Sequence, residues 1–141
     1  MNCDVLPLCD LGDSDLTYIR RRLTKPGSDF HKKLRHGELK GQIAVVRDQG
    51  QIAVVRDQGE IVGWARTEPW ADCSGVWDTL EAFVAVEYRL RGIASFAACG
   101  LEAAGCLGIS VAVFHPTMYI VGTRAGIRVT LFSKGEAWVK A

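Results

Sequence analysis

Nine residues of this chain occur twice in tandem. Residues 42–50 read QIAVVRDQG, and residues 51–59 read QIAVVRDQG again. Identity over nine positions does not arise by convergence, so 42–50 is read as a duplicate of 51–59. Two copies of so short a unit cannot build a solenoid, which takes about three or more repeats of some 20 residues or longer. Each copy carries one strand and one turn: Ile-Ala-Val-Val is a short apolar run, and Asp-Gln-Gly is turn chemistry. The second copy runs into Glu60-Ile61-Val62-Gly63-Trp64-Ala65, so 52–56, a turn at 57–60 and 61–66 read as a hairpin. Two identical strands therefore compete for one place beside 61–66. Closing a short turn costs less entropy than closing over nine extra residues, which favours the second copy. A further regular strand in an antiparallel meander would also send the preceding helices to the wrong end of the sheet. The first copy is expected to be looped out, left at an edge, or exchanged between two protomers. An unpaired edge at Ile43-Ala44-Val45-Val46 would favour a homodimer.

The remaining elements alternate between helical and strand patterns. A short strand is expected at 4–8. Asp13 or Ser14 can cap a helix with Leu16, Ile19 and Leu23 on one face. Ser28 can cap a second helix, with Phe30 and Leu34 four apart. A turn-rich stretch covers 68–75, and a long strand covers 76–86. Residues 92–107 read as a helix, with Ile93, Phe96, Ala97, Leu101 and Ala104 at helical spacing and Gly108 as its stop. The apolar run 109–114 reads as a strand covered on both faces. Pro116 can open a short helix ending by Gly126. Residues 127–132 and 137–140 read as a final hairpin. No linker or low-complexity segment divides the chain, so 1–141 reads as a single domain, as its 141 residues allow.

Composition excludes several classes. Hydrophobic residues make up 48% of the chain and the formal net charge is only +1, which argues against disorder and against a wholesale nucleic-acid binder. No apolar run approaches the roughly 18 residues of a membrane span, and the first residues carry no secretory pattern. The five cysteines (Cys3, Cys9, Cys73, Cys99 and Cys106) are odd in number and include no C-x-x-C pair. They read as reduced thiols of a cytoplasmic protein rather than a disulfide framework or zinc site, and no metal site is expected.

The chemistry lies where the long strand meets the long helix. The junction reads Val84-Ala85-Val86-Glu87-Tyr88-Arg89-Leu90-Arg91-Gly92-Ile93-Ala94. A strand ends, a basic turn follows, and a helix begins on small residues. The first N–H groups of a helix lack intrahelical partners, and the helix dipole adds partial positive charge there. Gly92 and Ala94 let a ligand approach the backbone, and Arg89 and Arg91 add full charges. A phosphate or pyrophosphate is the natural ligand of such a junction, although strand–turn–helix junctions with a glycine also occur as plain structure.

Arg89, Gly92 and Ala94 fill a pattern that resembles the acetyl-CoA signature of the GNAT N-acetyltransferase superfamily, Arg/Gln-x-x-Gly-x-Gly/Ala. The flanks are similar to the family's V-x-P-E-Y-R-G-x-G, with Val86 in place of Pro and Leu90 in place of Gly. Arg124-Ala125-Gly126-Ile127 resembles the family's K-x-G-F lead-in to a late strand. The resemblance covers almost the whole chain. It implies an α/β fold: a mixed, mostly antiparallel central sheet flanked by helices, with a splayed parallel strand pair. It also implies acetyl-CoA as co-substrate. Val84 and Val86, at the end of the strand, would pair with the pantetheine arm. Arg89, Leu90, Arg91, Gly92, Ile93 and Ala94 would hold the pyrophosphate. The implied reaction is direct attack on the thioester by a primary amine of a small molecule or protein.

The same resemblance points to Asp78, eleven residues before Arg89, as a general base, with Glu81 on the opposite strand face as the alternative. Both also read as ordinary strand carboxylates, and the resemblance equally allows a water chain with no single base. The family's usual acid, a tyrosine, would fall at Gly122. Tyr119 is the nearest phenol, and His115 is a further candidate; each has a plain packing or hydrogen-bonding role as well. Arg20, Arg21, Arg22, Lys25, Lys32, Lys33, Arg35 and Lys40 gather on the first two helices, opposed by Asp29 and Glu38. They read as a solvated basic face or as a surface for an acidic partner. The competing function is therefore a catalytically silent GNAT-like protein that binds an acidic partner through residues 20–40.

Overall fold

The computed structural model of the chain describes residues 1–39, 51–69, 78–104, 108–112 and 116–132. Its elements are β1 (Asn2–Pro7), α1 (Asp13–Arg22), α2 (Asp29–Leu39), β2 (Gln51–Asp57), β3 (Glu60–Pro69), β4 (Asp78–Val84), α3 (Ile93–Ala103), β5 (Gly108–Ala112), α4 (Pro116–Arg124) and β6 (Arg128–Phe132). The described strands form one sheet in the order β1-β2-β3-β4-β5-β6. β1 to β4 are antiparallel, and the β4–β5 and β5–β6 pairs are parallel. This is the mixed, mostly antiparallel α/β sheet expected from the resemblance.

The second copy of the repeat is β2, held between β1 and β3. The first copy, and the expected strand at 137–140, lie outside the described residues. The Ile-Ala-Val-Val run is continuous because both faces of β2 are covered. Ile52 and Val54 join Leu16, Ile19, Phe30 and Leu34 beneath α1 and α2. Ala53 and Val55 join Ala97, Ala98 and Leu101 beneath α3. Burying Ile52, Val54 and Val55 contributes about 1.5–3 kcal/mol each. The β2–β3 turn has positive φ at both central residues, Gln58 (51°) and Gly59 (84°), the type I′ geometry that matches the twist of a two-residue hairpin.

A bulge interrupts the β2–β3 ladder: Val55 faces Gly63 and Arg56 faces Ile61, leaving Val62 without a partner on β2. Its carbonyl instead accepts from Ala85 N–H at 2.8 Å. Gly63 sits under the start of α3, where an added Cβ would stand 2.9 Å from Ile93 Cγ2. Similarly, a Cβ at Gly100 would lie 3.0 Å from both Cys3 Sγ and Val5 Cγ2. Small residues thus let α3 lie close on the sheet.

On the other face, Trp64 Nε1–H donates to Leu23 O at 2.7 Å, giving a partner to a carbonyl at the end of α1. Phe30 meets Trp64 edge-on, with ring centroids 4.7 Å apart. The Arg66 guanidinium lies 4.6 Å from the Phe30 centroid and is buried, with only 3% of its surface exposed.

Several boundaries differ from the sequence expectation. The first strand starts at Asn2, and Leu8–Asp10 is a 3-10 turn. Gly12, not Asp13 or Ser14, is the N-cap of α1; Asp13 and Asp15 lie in its first turn, where carboxylates complement the dipole. Ser28 does cap α2, its Oγ accepting from His31 N–H at 3.3 Å. The strand expected at 76–86 is described as β4 from Asp78 and ends at Val84, because Ala85 turns to the Val62 carbonyl and Val86–Tyr88 form a 3-10 turn. The helix expected at 92–107 is described as α3 over Ile93–Ala103, with Gly92 as N-cap, and Gly108 opens β5 rather than stopping a helix. Phe96 is 44% exposed and Ala104 is also exposed, so neither belongs to the buried stripe of α3. Pro116 opens α4 as expected. Its end is a Schellman turn: Ile127 N–H reaches Gly122 O at 3.0 Å, Gly126 N–H reaches Thr123 O at 3.1 Å, and Gly126 adopts φ 82°.

Candidate active site

Among the described residues, β4 and β5 pair only at Asp78↔Ile109 and Thr79↔Ser110. Beyond that point β5 pairs with β6 alone, through Val111↔Leu131 and Ala112↔Phe132. Among the described residues, the last five of β4 (80–84) thus have no β5 partner, and a slot opens toward the C-terminal end of the strand. There the junction turns back. Tyr88 N–H donates to Ala85 O, Arg89 N–H donates to Val86 O, and Leu90 and Gly92 both take left-handed backbone, φ 65° and 77°. The first hydrogen bond within α3 runs from Phe96 N–H to Gly92 O at 2.9 Å. The N–H groups of Ile93, Ala94 and Ser95 precede it and have no intrahelical acceptor.

A cavity of ≈ 340 Å³ lies in front of these amides. Its walls are residues 82–84 of β4, Tyr88, Arg89 and Leu90 of the turn, residues 92–95 at the start of α3, and Thr117 and Val121 of α4. Six of the eight cofactor residues read from the sequence stand in this wall: Val84, Arg89, Leu90, Gly92, Ile93 and Ala94. Val86 and Arg91 do not. Val86 is 71% exposed on the 3-10 turn. Arg91 lies over the Tyr88 ring, 5.1 Å from its centroid.

Arg89 does more than add charge. Its Nε–H donates to Val84 O at 2.9 Å, and its guanidinium lies 5.2 Å from the Phe83 centroid, so it ties the turn to the end of β4. Phe83, at the start of the 83–86 stretch expected to meet the pantetheine arm, also stands in the wall, whereas Ala82, Tyr88, Ser95, Thr117 and Val121 were not singled out from the sequence. The helical repeat of three to four residues between Thr117 and Val121 is the one signal that could have joined the last two to a common face.

The candidate acid–base residues are not gathered at one point. Asp78 opens β4 at the closed end of the slot, paired with Pro69 and Ile109, about 13 Å of strand from Ala82. Glu81 is next to the cavity wall in sequence, but its Oε2 accepts from Arg66 Nη2 at 3.0 Å and Arg66 Nε at 3.2 Å. Tyr119 belongs to α4, in the turn between Thr117 and Val121. His115 lies outside the described residues. The Gly122 carbonyl serves the Schellman turn.

One hydroxyl beside the cavity has a well-defined partner. Tyr88 Oη donates to Asp57 Oδ2 at 2.9 Å. That bond, followed by partial burial and the charge of Asp57, pushes the phenol above its ordinary pKa, with Glu87 adding slightly and Arg91 opposing.

Among the described residues, no group of three or more His, Cys, Asp or Glu is placed to hold a metal ion, and no helix is long and apolar enough to cross a membrane. Neither a protein-family model nor a curated protein sequence matches the chain. Solved structures do. The aminoglycoside N-acetyltransferase AAC(6')-Iy in complex with CoA aligns over 95% of this chain and 95% of its own, at 18% identity and a TM-score of 0.55. The same enzyme in complex with the bisubstrate analog CoA-S-monomethyl-acetylneamine aligns over 99% of this chain and 85% of its own, at 15% identity and a TM-score of 0.50. With the splayed β4–β5 pair and the helix that follows β4, the chain has the fold of the GNAT N-acetyltransferases.

Proposed function

We propose that the protein is an acetyl-CoA-dependent N-acetyltransferase. The observation that carries this reading is the convergence of three features on one cavity: the unpaired side of β4, the left-handed turn at Leu90 and Gly92, and the free first amides of α3. Such amides suit a pyrophosphate, with the dipole of an 11-residue helix behind them. Residues 82–84 offer a strand edge to the pantetheine arm, and Arg89, Leu90, Gly92, Ile93 and Ala94 surround the phosphates. Arg91, against the ring of the wall residue Tyr88, supplies charge from the rim.

The amine nitrogen attacks the thioester carbonyl carbon, the C–S bond breaks, and the products are an amide and free CoA thiol. Backbone N–H groups on the β5 side of β4 are suited to the oxyanion. The amine's proton passes to Asp78 or Glu81, directly or through water, and Tyr119 protonates the departing thiolate. Of the two carboxylates, Asp78 needs water to span the distance, and Glu81 must act while held by Arg66.

The acceptor is a primary amine of a small molecule or protein. AAC(6')-Iy acts on aminoglycosides, which makes polycationic amines one class to assay. The basic residues of α1 and α2 favour an acceptor that carries acidic groups. A catalytically silent protein binding an acidic partner through those helices is the second reading, which rests on the glycine at position 122, where the family's usual acid would stand, and which the solved-structure matches do not favour.

Titration calorimetry with acetyl-CoA, and release of CoA thiol over a panel of amines, test the proposal. Gly92→Glu should abolish binding, because it sets a carboxylate against the phosphates at a helix start. Unchanged affinity in a folded variant refutes the phosphate assignment. Binding without turnover on any amine class selects the second reading. If Asp78 is the base, Asp78→Asn lowers turnover roughly 10²–10⁴-fold with cofactor affinity kept; a loss below about threefold removes that role.

A further inference from the structure

Resting on the acetyl-CoA reading, we propose that Asp57, the last residue of β2, is a positioning residue that sets the phosphate-binding turn through Tyr88. Asp57 stands 31 residues from Tyr88 in sequence, yet its Oδ2 accepts the Tyr88 hydroxyl at 2.9 Å. The face of the same ring carries the Arg91 guanidinium, 5.1 Å from the centroid, and Arg91 directly precedes Gly92. A chain of contacts therefore runs from the β2–β3 hairpin to the cation at the mouth of α3.

The hairpin is suited to act as the fixed end. Arg56, the residue before Asp57, donates to Asp15 Oδ2 of α1 at 2.8 Å and to Gly59 O at 3.3 Å. Neighbouring residues at the end of β2 thus hold opposite directions: Arg56 ties the hairpin to α1, and Asp57 ties it to the turn. Two more contacts from β3 meet the same segment, Val62 O with Ala85 N–H and Gly63 beneath Ile93. The turn needs such support, since Leu90, a non-glycine residue, is held in left-handed backbone, which is costly for a free chain. Fixing Arg91 and the α3 amides before the ligand arrives lowers the ordering cost of binding.

Acetyl-CoA affinity and steady-state kinetics of the full chain test this. Tyr88→Phe keeps the ring beneath Arg91 and the charge of Asp57 but loses the hydroxyl. It should raise the acetyl-CoA dissociation constant roughly three- to tenfold, the size of one hydrogen bond. Asp57→Ala should match it in dissociation constant and KM, with kcat at saturation kept, and the double variant should add nothing further. Asp57→Asn, which keeps an acceptor oxygen, should return most of the affinity. S-Acetylpantetheine, which has no phosphates, should bind the wild type and all variants alike. Equal losses for acetyl-CoA and S-acetylpantetheine overturn the proposal, as does wild-type acetyl-CoA affinity in Tyr88→Phe. Affinity unchanged or improved in both Asp57→Ala and Asp57→Asn also overturns it, since only the charge of Asp57 would then matter. A wild-type chain that binds no acetyl-CoA overturns the cofactor reading itself, an outcome distinct from all of these.

Discussion

Glu81→Gln separates two accounts of Glu81, which precedes the cavity residue Ala82 in β4. Glu81 sits directly opposite Arg66 in the β3–β4 ladder, and both the Nε and Nη2 of Arg66 share its Oε2. The Arg66 side chain is 3% exposed and that of Glu81 is 26% exposed. Removing one partner of a fully buried ion pair costs about 3–5 kcal/mol, and a hydrogen bond to a charged group is worth about 1.5–3. The partial exposure of Glu81 places this substitution near the lower range, about 2–3 kcal/mol. For a chain of this size, that lowers Tm by about 5–10 °C. A replacement that removes both charges, Arg66→Met with Glu81→Leu, should recover much of the loss, because matched apolar groups avoid the desolvation cost. The assay is a thermal melt with a parallel urea titration, followed by turnover measured well below each variant's Tm. If Glu81 is structural, folded Glu81→Gln keeps turnover within a few-fold. If it is the base, turnover falls by a hundredfold or more at unchanged fold. A Tm within about 1 °C of wild type would refute the ion-pair argument.

Three further outcomes follow from individual residues. Leu90 has φ 65° and is fully exposed, so Leu90→Gly removes left-handed strain of about 1–2 kcal/mol, offset by about 0.4–1 of added unfolded-chain entropy; Tm should hold or rise, by up to about 6 °C, and a fall would refute the strain. The Tyr88 phenol, raised chiefly by its bond to Asp57, stays neutral through and beyond the ordinary tyrosine range, so its stabilising contribution is complete below about pH 10 and is lost as pH climbs past the raised value. The phenolate absorbance difference between wild type and Tyr88→Phe should appear above pH 10 and shift down in Asp57→Ala; a phenol titrating at or below 10 contradicts the contact. The Cys3 thiol is pushed up by burial, then by the charges of Asp4 and Cys99, whereas Cys99 is exposed. Peptide mapping after brief alkylation at neutral pH should show Cys99 modified before Cys3, and the reverse order would count against the burial of Cys3.

Features that depend on neighbours in sequence were legible, and features that depend on strand register were not. Leu16, Ile19 and Leu23 announce the buried face of α1, and Pro116 and Gly126 mark the ends of α4, because the physics is local to each turn. The turn proposed to hold the phosphates is a consecutive run, so its residues could be named in order, and most of them line the cavity. Arg66–Glu81 and Asp57–Tyr88 lie 15 and 31 residues apart, and nothing in either local pattern fixes which carboxylate meets which donor. The same limit moved the end of β4: only the bulge at Val62 reveals where Ala85 sends its N–H. Gly12 displaced Asp13 as the cap of α1 because the chain leaves a 3-10 turn at Leu11 in extended geometry, which fixes the helix start one residue early.

The identity of β2 bears on how this protein tolerates mutation. β2 is buried on both faces, contributes Arg56 and Asp57 to contacts that hold the hairpin tip, and is spelled by a sequence that the chain carries twice. Deleting residues 42–50 or residues 51–59 leaves the same polypeptide, so a genetic deletion cannot tell the copies apart. A point change can: Val54→Asp strikes β2, whereas Val45→Asp leaves β2 untouched. After a lesion in β2, an intact QIAVVRDQG still exists nine residues upstream, complete with its own Arg and Asp. If the upstream copy can take the place of β2, Val54→Asp should cost less stability than an equally buried polar change in β3 such as Ala65→Asp; an equal loss shows that the second spelling gives no protection.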